Sequence, residues 1–186
     1  MEESEFWRLI ENSGVGARGQ ADRSRRLLAE LARLPAEEIL AFEVLKDAAL
    51  RRLDTFDLLA AHNVIMDGCG GGDGYFYFLH WVIGLGRTRY EAVLADADAV
   101  AEIPELPRPI GADRRWPDED WPEWEELISL AARAYAQVAR VEFGGYDDVR
   151  SLAHSLGDPQ THGEEWDLYD EAETARRLPG LWKLAH

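Results

Sequence analysis

The sequence predicts an all-α fold: a single compact orthogonal bundle of about eight mostly short helices around a central buried aromatic helix. Two observations lead to this prediction. Apolar residues recur at helical spacing, as at Leu27, Leu31 and Leu34, with charged residues between them. Valine and isoleucine never alternate with polar residues for more than a few positions, as a half-buried strand requires. A chain of 186 residues fits one domain, so we expect a single helical domain over residues 1–186.

The first helices follow one another with short connections. An amphipathic helix around Phe6 ends at the stretch 14–19, which spells G-x-G-x-x-G. A dinucleotide-binding loop of this form follows a strand, whereas a helix precedes it here, so we interpret it as a surface loop. Helical patterns then cover residues 20–34 and the residues after Pro35. Asp54 or Thr55 can cap the next helix, residues 56–66.

A glycine loop and an aromatic helix form the centre of the predicted fold. The loop, residues 67–74, has an acid near each end, Asp67 and Asp73. The helix, residues 75–86, is apolar on nearly every face, which is typical of a buried helix. Asp73 is predicted to cap its N-terminus. An irregular proline-rich connection follows at about 102–121, and the pattern from Asp120 to Glu123 predicts a capping box that starts a helix there.

Composition limits the classes of partner. The net charge of −16 disfavours nucleic acid and anionic membranes and is compatible with a basic protein partner. A single cysteine excludes an internal disulfide and a multi-cysteine zinc site, and no metal-binding or cofactor motif is present, so neither a metal nor a cofactor is predicted. No apolar run reaches membrane-spanning length, and no signal-peptide core follows the acidic first residues, so we expect a cytoplasmic protein.

Four stretches of the chain resemble the bacterial family called domain of unknown function 4240. These stretches are Phe6-Trp7-x-Leu9-Ile10; Pro35-x-Glu37-Glu38-Ile39-x-x-Phe42; the central block from Asp57-Leu58-x-Ala60-Ala61 through Tyr77-Phe78-x-x-Trp81 to Asp96-x-Asp98; and Leu178-Pro179-x-Leu181-Trp182. The resemblance implies a domain and no established activity. Relatives usually carry Cys-Ser-Asp-Asp-Gly in the loop and an arginine after the Tyr-Phe pair, where this chain has one acid fewer and Leu79. A site formed by that acid and arginine in relatives would be weakened or lost here.

Two functions remain open from the sequence. The first is a non-enzymatic helical domain that binds a protein partner or a small ligand, because no catalytic motif accompanies the acidic, tryptophan-rich segment 116–124. The alternative is a small metal-independent enzyme or ligand carrier with a pocket between the loop 67–74 and the helix 75–86. The loop is more simply a turn, and a cysteine near histidines is more often incidental than nucleophilic. The candidate ligand-binding residues are His62, Asp67, Cys69, Asp73, Tyr77, His80 and Arg87.

Overall fold

The computed structural model describes residues 1–68, 72–117, 120–140 and 160–186. The described residues contain nine α-helices and two 3-10 helices, so the all-α class is confirmed. The α-helices are α1 (Glu3–Gly14), α2 (Gln20–Leu31), α3 (Ala36–Leu53), α4 (Phe56–Ile65), α5 (Gly72–Gly84), α6 (Arg87–Ala95), α7 (Leu127–Ala139), α8 (Glu171–Arg177) and α9 (Pro179–Ala185). The 3-10 helices are η1 (Ala97–Glu102) and η2 (Gly111–Asp113). No strand occurs within these ranges, and one isolated β-bridge joins Thr55 to His162.

The chain divides into two compact units. The first unit comprises Met1–Arg51 and Trp124–Pro159, and the second comprises Arg52–Glu123 and Gln160–His186. A single domain over residues 1–186 stays a prediction. The predicted irregular connection at about 102–121 contains η2, and its residues 118–119 lie outside the described residues.

In the first unit, α2 packs against α1 and α7. Leu27 and Leu31 of α2, which belong to a predicted apolar stripe, are fully buried, and so is Leu130 of α7, which the prediction did not include. The ring of Phe6 on α1 meets that of Phe42 on α3, with centroids 5.0 Å apart. Periodicity therefore indicated the buried face of α2, whereas Leu34, which was also predicted, is half-buried and lies beyond the end of that helix.

Trp124 explains why α7 begins later than the sequence predicts. The capping box from Asp120 to Glu123 is wrong as a helix start, because α7 begins at Leu127. The Trp124 indole is fully buried, donates from Nε1 to Ser24 Oγ at 2.8 Å, and lies 4.2 Å below the guanidinium of Arg23. Burial of so large a ring stabilises the fold by more than an N-cap, which contributes about 1 kcal/mol. The buried indole therefore fixes the backbone ahead of the helix.

α3 carries a buried ion pair within the first unit. Lys46 Nζ donates to Glu43 Oε1 at 2.8 Å and to the carbonyl of Ile128 at 3.4 Å. The two side chains are 2% and 9% exposed, and burial raises the pKa of Glu43. Oε2 of Glu43 has no hydrogen-bond partner in the described part of the chain. The pair is therefore sensitive to loss of the lysine, which would leave a buried carboxylate uncompensated.

In the second unit, α5 is the predicted aromatic helix, and most of its side chains are buried. Phe78 and Val82 are fully buried, Trp81 is 7% exposed, and the rings of Phe78 and Trp81 stack 5.6 Å apart. α5 begins at Gly72, so the predicted N-cap at Asp73 is wrong. Asp73 lies in the first turn instead, where its carboxylate still meets the positive end of the helix.

η1 and α9 are joined by one carboxylate in the second unit. Asp98 accepts hydrogen bonds from the backbone N–H of Gly180 at 2.7 Å and of Leu181 at 2.9 Å. These are first-turn amides of α9, which have no partner inside their own helix. A Cβ on residue 180 would lie 2.9 Å from Asp98 Oδ2, so the close approach requires glycine. Two stretches of the family resemblance, Asp96-x-Asp98 and Leu178–Trp182, therefore meet in space.

Candidate functional site

The seven predicted ligand-binding residues lie in three different environments. His62 and His80 are buried, Tyr77 is half-buried, and Asp67, Asp73 and Arg87 are exposed. Cys69 lies outside the described residues. The assignment of these residues to a ligand stays a prediction.

Two of the seven, His80 and Arg87, make hydrogen bonds to residues one helical turn away. His80 is fully buried, its Nδ1–H donates to the carbonyl of Phe76 at 2.8 Å, and the two rings meet edge to face at 4.6 Å. Arg87 Nε donates to Glu91 Oε1 at 2.7 Å across one turn of α6. Asp67 has φ +51, a left-handed conformation consistent with the end of a helix.

His62 is buried near the end of α4. It is 1% exposed, and its ring lies 5.7 Å from the ring of Tyr75 and 5.1 Å from that of Phe78. Burial lowers the pKa of His62 from 6.5 to about 4, because the charged imidazolium loses its hydration. The imidazole is therefore neutral at physiological pH, with one nitrogen able to donate and the other able to accept a hydrogen bond.

Gly74, in the first turn of α5, brings His62 close to a residue that was not predicted as part of a site. A Cβ built on Gly74 would lie 3.9 Å from Cε1 and 4.0 Å from Nε2 of His62. The same point lies 3.6 Å from Oε1 of Glu123. An imidazole and a carboxylate therefore both lie near the first turn of α5 at Gly74. Of the seven predicted residues, His62 lies close to the first turn of α5.

A second polar region of this unit lies beside the N-terminus of α4, where the segment 160–166 pairs with the backbone. The N–H of His162 donates to the carbonyl of Asp54 at 3.0 Å, and the N–H of Phe56 donates to the carbonyl of His162 at 3.1 Å. Thr161 Oγ1 donates to Asp54 Oδ1 at 2.9 Å. The Thr55 side chain caps α4, as predicted, by accepting from the N–H of Leu58 at 3.1 Å. This segment therefore holds acidic and basic side chains against α4.

Arg177, at the end of α8, is surrounded by carboxylates. Its Nε contacts Glu173 Oε1 at 2.6 Å, its Nη2 contacts Glu164 Oε2 at 2.7 Å, and its Nη1 contacts Asp57 Oδ1 at 3.4 Å. The guanidinium also lies over the indole of Trp166, 5.2 Å from its centroid. The hydrogen bonds to Glu164 and Glu173 raise the pKa of Arg177. Hydrogen bonds from Arg176 and then from Arg177 lower the pKa of Glu173 to about 2.

These side chains border a cleft of about 210 Å³, here called the α4 cleft. Its lining is apolar at the floor and charged at the rim. The lining residues are Arg52, Leu53, Thr55, Asp57, Leu58, Val93, Leu94, Ala95, Asp96, Ala97, His162, Gly163, Glu164, Arg177 and Leu178. The last turn of α6 also lines it, and the C-terminal end of a helix carries partial negative charge. Chemically, the cleft suits a group with a positive tip and an apolar stem.

Sequence reasoning missed the α4 cleft, because its parts are far apart in the chain. Residues 54 and 161 are separated by 107 positions, and no motif connects them. Glu123 was interpreted only as part of a capping box, so its position near His62 was not foreseen. The local acid-rich pattern around Glu164 was visible in the sequence, but it did not reveal which arginine the acids would meet.

Comparison with known proteins gives the family. The profile of the family described as "Protein of unknown function (DUF4240)" matches residues 1–137. That range is more than half of the chain, so the protein belongs to this family, as the resemblance implied. No curated protein and no solved structure matches the chain. The matched range includes His62, Gly74 and Glu123, whereas the α4 cleft also draws on residues beyond it.

No helix within the described residues is both long and apolar enough to cross a membrane. In the same ranges, no group of three or more His, Cys, Asp or Glu side chains is placed to hold a metal ion.

Proposed function

We propose that the protein is a non-enzymatic helical domain that binds a basic segment of a partner protein, with the α4 cleft taking a cationic side chain of that segment. This proposal rests on the groups that surround Arg177. Three carboxylates and an indole already hold one guanidinium at the edge of this cleft. A second guanidinium or ammonium group would meet the same chemistry at the rim.

The charge of the lining supports a cation rather than an anion. Asp57, Asp96 and Glu164 line the cleft together with Arg52 and Arg177, and Glu173 further balances the charge of Arg177. The N-terminus of α4, which would favour an anion, already uses the N–H groups of Phe56 and Leu58 within the protein. The last turn of α6 adds partial negative charge. At long range, the net charge of −16 attracts a basic partner and repels nucleic acid.

The size and floor of the cleft suit a long basic side chain. Leu53, Leu58, Val93 and Leu178 are buried beneath the charged rim. An arginine or lysine can lay its methylene stem on such a floor while its charged end meets the carboxylates. A cytoplasmic location is part of this proposal, since a chain with one cysteine has no need of an oxidising compartment.

The test is binding of a fluorescently labelled arginine-rich peptide, measured by anisotropy across a salt series. The informative variant is Asp96→Asn with Glu164→Gln, which removes two rim charges; asparagine at 96 can still accept the hydrogen bond from the N–H of Asp98. We expect affinity to fall about tenfold, since two partly exposed ion pairs are worth about 1.4 kcal/mol together.

The matched control changes two exposed acids of the same unit that do not line the cleft, Glu102→Gln with Asp113→Asn. It makes the same change in net charge, so any general electrostatic effect appears in both variants. Equal weakening by the two double variants, or no binding by a folded wild-type protein, would contradict the proposal.

The alternative function, a small enzyme or ligand carrier, is favoured by one separate observation. His62 and Glu123 both lie within 4.0 Å of the point where a Cβ on Gly74 would be, in the first turn of the aromatic helix. None of these three residues lines the α4 cleft.

A further inference from the structure

We propose that a hollow beside the start of α2, here called the arginine hollow, binds the phosphate group of a small phosphorylated molecule. The hollow has a volume of about 370 Å³ and is lined by Gly16, Arg18, Ala21, Asp22, Arg25 and Arg26. It belongs to the first unit, whereas the residues of the α4 cleft belong to the second. The two sites are therefore formed by different parts of the chain, and either can exist without the other.

The chain around the arginine hollow is basic, although the whole protein carries a net charge of −16. Residues 14–26 contain four arginines and one acid. Three of these arginines and the one acid line the hollow, which leaves it a formal charge of +2. The fourth, Arg23, lies over the indole of Trp124 and donates to Ser13 Oγ instead. The hollow is therefore a local positive site on an acidic protein.

The acid of the arginine hollow, Asp22, already uses both oxygens of its carboxylate within the protein. Oδ1 accepts a hydrogen bond from Arg25 Nη2 at 2.8 Å, and Oδ2 accepts one from the N–H of Arg18 at 3.1 Å. Oδ2 also lies 3.1 Å from Arg26 Nη2. The hydrogen bond from the N–H of Arg18 contributes most to lowering the pKa of Asp22, so the carboxylate stays ionised. It orients the arginines of the hollow and leaves their remaining donors available.

Arg18 and Arg25 are the side chains with donors available for a ligand. Arg26 donates to the carbonyls of Val15 and Gly16, so it is engaged in fixing the loop ahead of α2. Within the described part of the chain, Arg25 donates only from Nη2, and the guanidinium of Arg18 makes no hydrogen bond. A guanidinium has five N–H donors in a planar fork, which matches the oxygens of a phosphate group.

A phosphate monoester fits the charge and the size of the arginine hollow. It carries a charge of about −1.5 to −2 at pH 7 and three strong acceptor oxygens, so two guanidinium groups can bind it at once. A carboxylate has a single charge and two oxygens. The volume of about 370 Å³ lies within the range of small-molecule pockets, about 300–1,000 Å³, so the organic part has room beside the phosphate. A long polyanion would meet the repulsion of the acidic remainder of the protein.

The first test variant is Ala21→Glu, which places a carboxylate in the arginine hollow. Ala21 is exposed in the first turn of α2, where an acid favours the helix, so we expect an equal or higher melting temperature. The matched control is Ala29→Glu, which makes the same change in charge at an exposed position of the same helix, outside the hollow.

The second test variant is Arg18→Gln, which removes a guanidinium that makes no hydrogen bond within the described residues. Its matched control is Arg33→Gln, which removes an exposed arginine of the same unit that does not line the arginine hollow. The two changes alter the net charge equally, so a general electrostatic effect appears in both.

The measurement is an NMR titration of the Nε–H signals of Arg18 and Arg25 with ribose phosphate, at a fixed ionic strength of about 0.15 M. Ribose and inorganic phosphate are titrated separately, since the first lacks the phosphate group and the second lacks the organic part. We expect saturable shifts with ribose phosphate, none with ribose, and affinity about threefold lower for inorganic phosphate. Ala21→Glu should abolish saturation, and Arg18→Gln should weaken binding about fivefold, as judged from the Arg25 signal. Both controls should bind as the wild type does.

Four results would overturn the proposal. Shifts with ribose phosphate that do not saturate would show that no site exists, and saturation by ribose alone would show that the phosphate group is not what binds. Equal titrations of a variant and its control would place the binding outside the arginine hollow. Equal affinity for inorganic phosphate and ribose phosphate would overturn the assignment to a phosphorylated molecule, because phosphate alone would then be the ligand.

Discussion

Because His62 is buried in its neutral form, we expect the protein to lose part of its stability when the pH is lowered mildly. Burial lowers its pKa from 6.5 to about 4, so between these values the unfolded chain binds a proton that the folded chain does not. The free energy of unfolding is therefore highest above pH 6.5 and falls as the pH drops toward 4. Each pKa unit corresponds to about 1.4 kcal/mol, so the total loss from this residue is about 3 kcal/mol.

His62→Phe isolates this contribution, because phenylalanine keeps the ring contacts with Tyr75 and Phe78 and does not titrate. Urea denaturation at a series of pH values gives the free energy of unfolding of the wild type and the variant. Carboxylates titrate in both proteins, so the difference between the two curves reports on His62. We expect that difference to shift in favour of the variant by about 3 kcal/mol as the pH falls from 6.5 toward 4.

The matched control is His186→Gln, which removes an exposed histidine of the same unit instead of a buried one. Parallel curves for wild type and His62→Phe would refute the reasoning. So would an NMR titration that places the pKa of His62 at or above 6.5, because the imidazole would then be charged in the folded state at mildly acidic pH.

Three further predictions concern stability and are measured by the same urea denaturation. Asp98→Ala should cost about 1–2 kcal/mol, because two first-turn amides of α9 lose their acceptor; an unchanged midpoint would show that water replaces it. Lys46→Met should cost about 3–5 kcal/mol by leaving Glu43 buried without its partner, and Lys46→Met with Glu43→Leu should recover most of that loss; no recovery would mean that the ion pair itself stabilises the fold. Trp81→Ala should cost about 3–5 kcal/mol as a truncation of a buried ring, and a loss below about 1 kcal/mol would place the core elsewhere.

The sequence predicted those parts of the fold that depend on local spacing. α5 is buried because its apolar residues cover nearly every face, and this property is visible in thirteen consecutive residues. Thr55 caps α4 because its hydroxyl lies three residues before the amide that it meets. Where a tertiary contact competes with a local signal, the prediction failed, as when burial of Trp124 moved the start of α7 to Leu127.

The sites could be predicted only in part, for the same reason. His62 and the beginning of α5 are close in the chain, and their proximity was foreseen. Glu123 lies about fifty residues further on, and nothing in its neighbourhood predicts that it comes near His62 at Gly74. At the α4 cleft, Arg177 contacts Asp57, although the two residues are 120 positions apart in the chain. No local pattern in the sequence predicts a contact between residues so far apart.

The central claim is that the α4 cleft takes a cationic side chain, and NMR mapping of the bound peptide tests it most directly. On titration with an arginine-rich peptide, we expect the largest amide shifts among the residues that line the cleft, which are 52–53, 55, 57–58, 93–97, 162–164 and 177–178. These shifts should saturate together and diminish with added salt, because the contact is electrostatic. Shifts that concentrate outside these residues, or that are spread evenly over the acidic surface, would contradict the account.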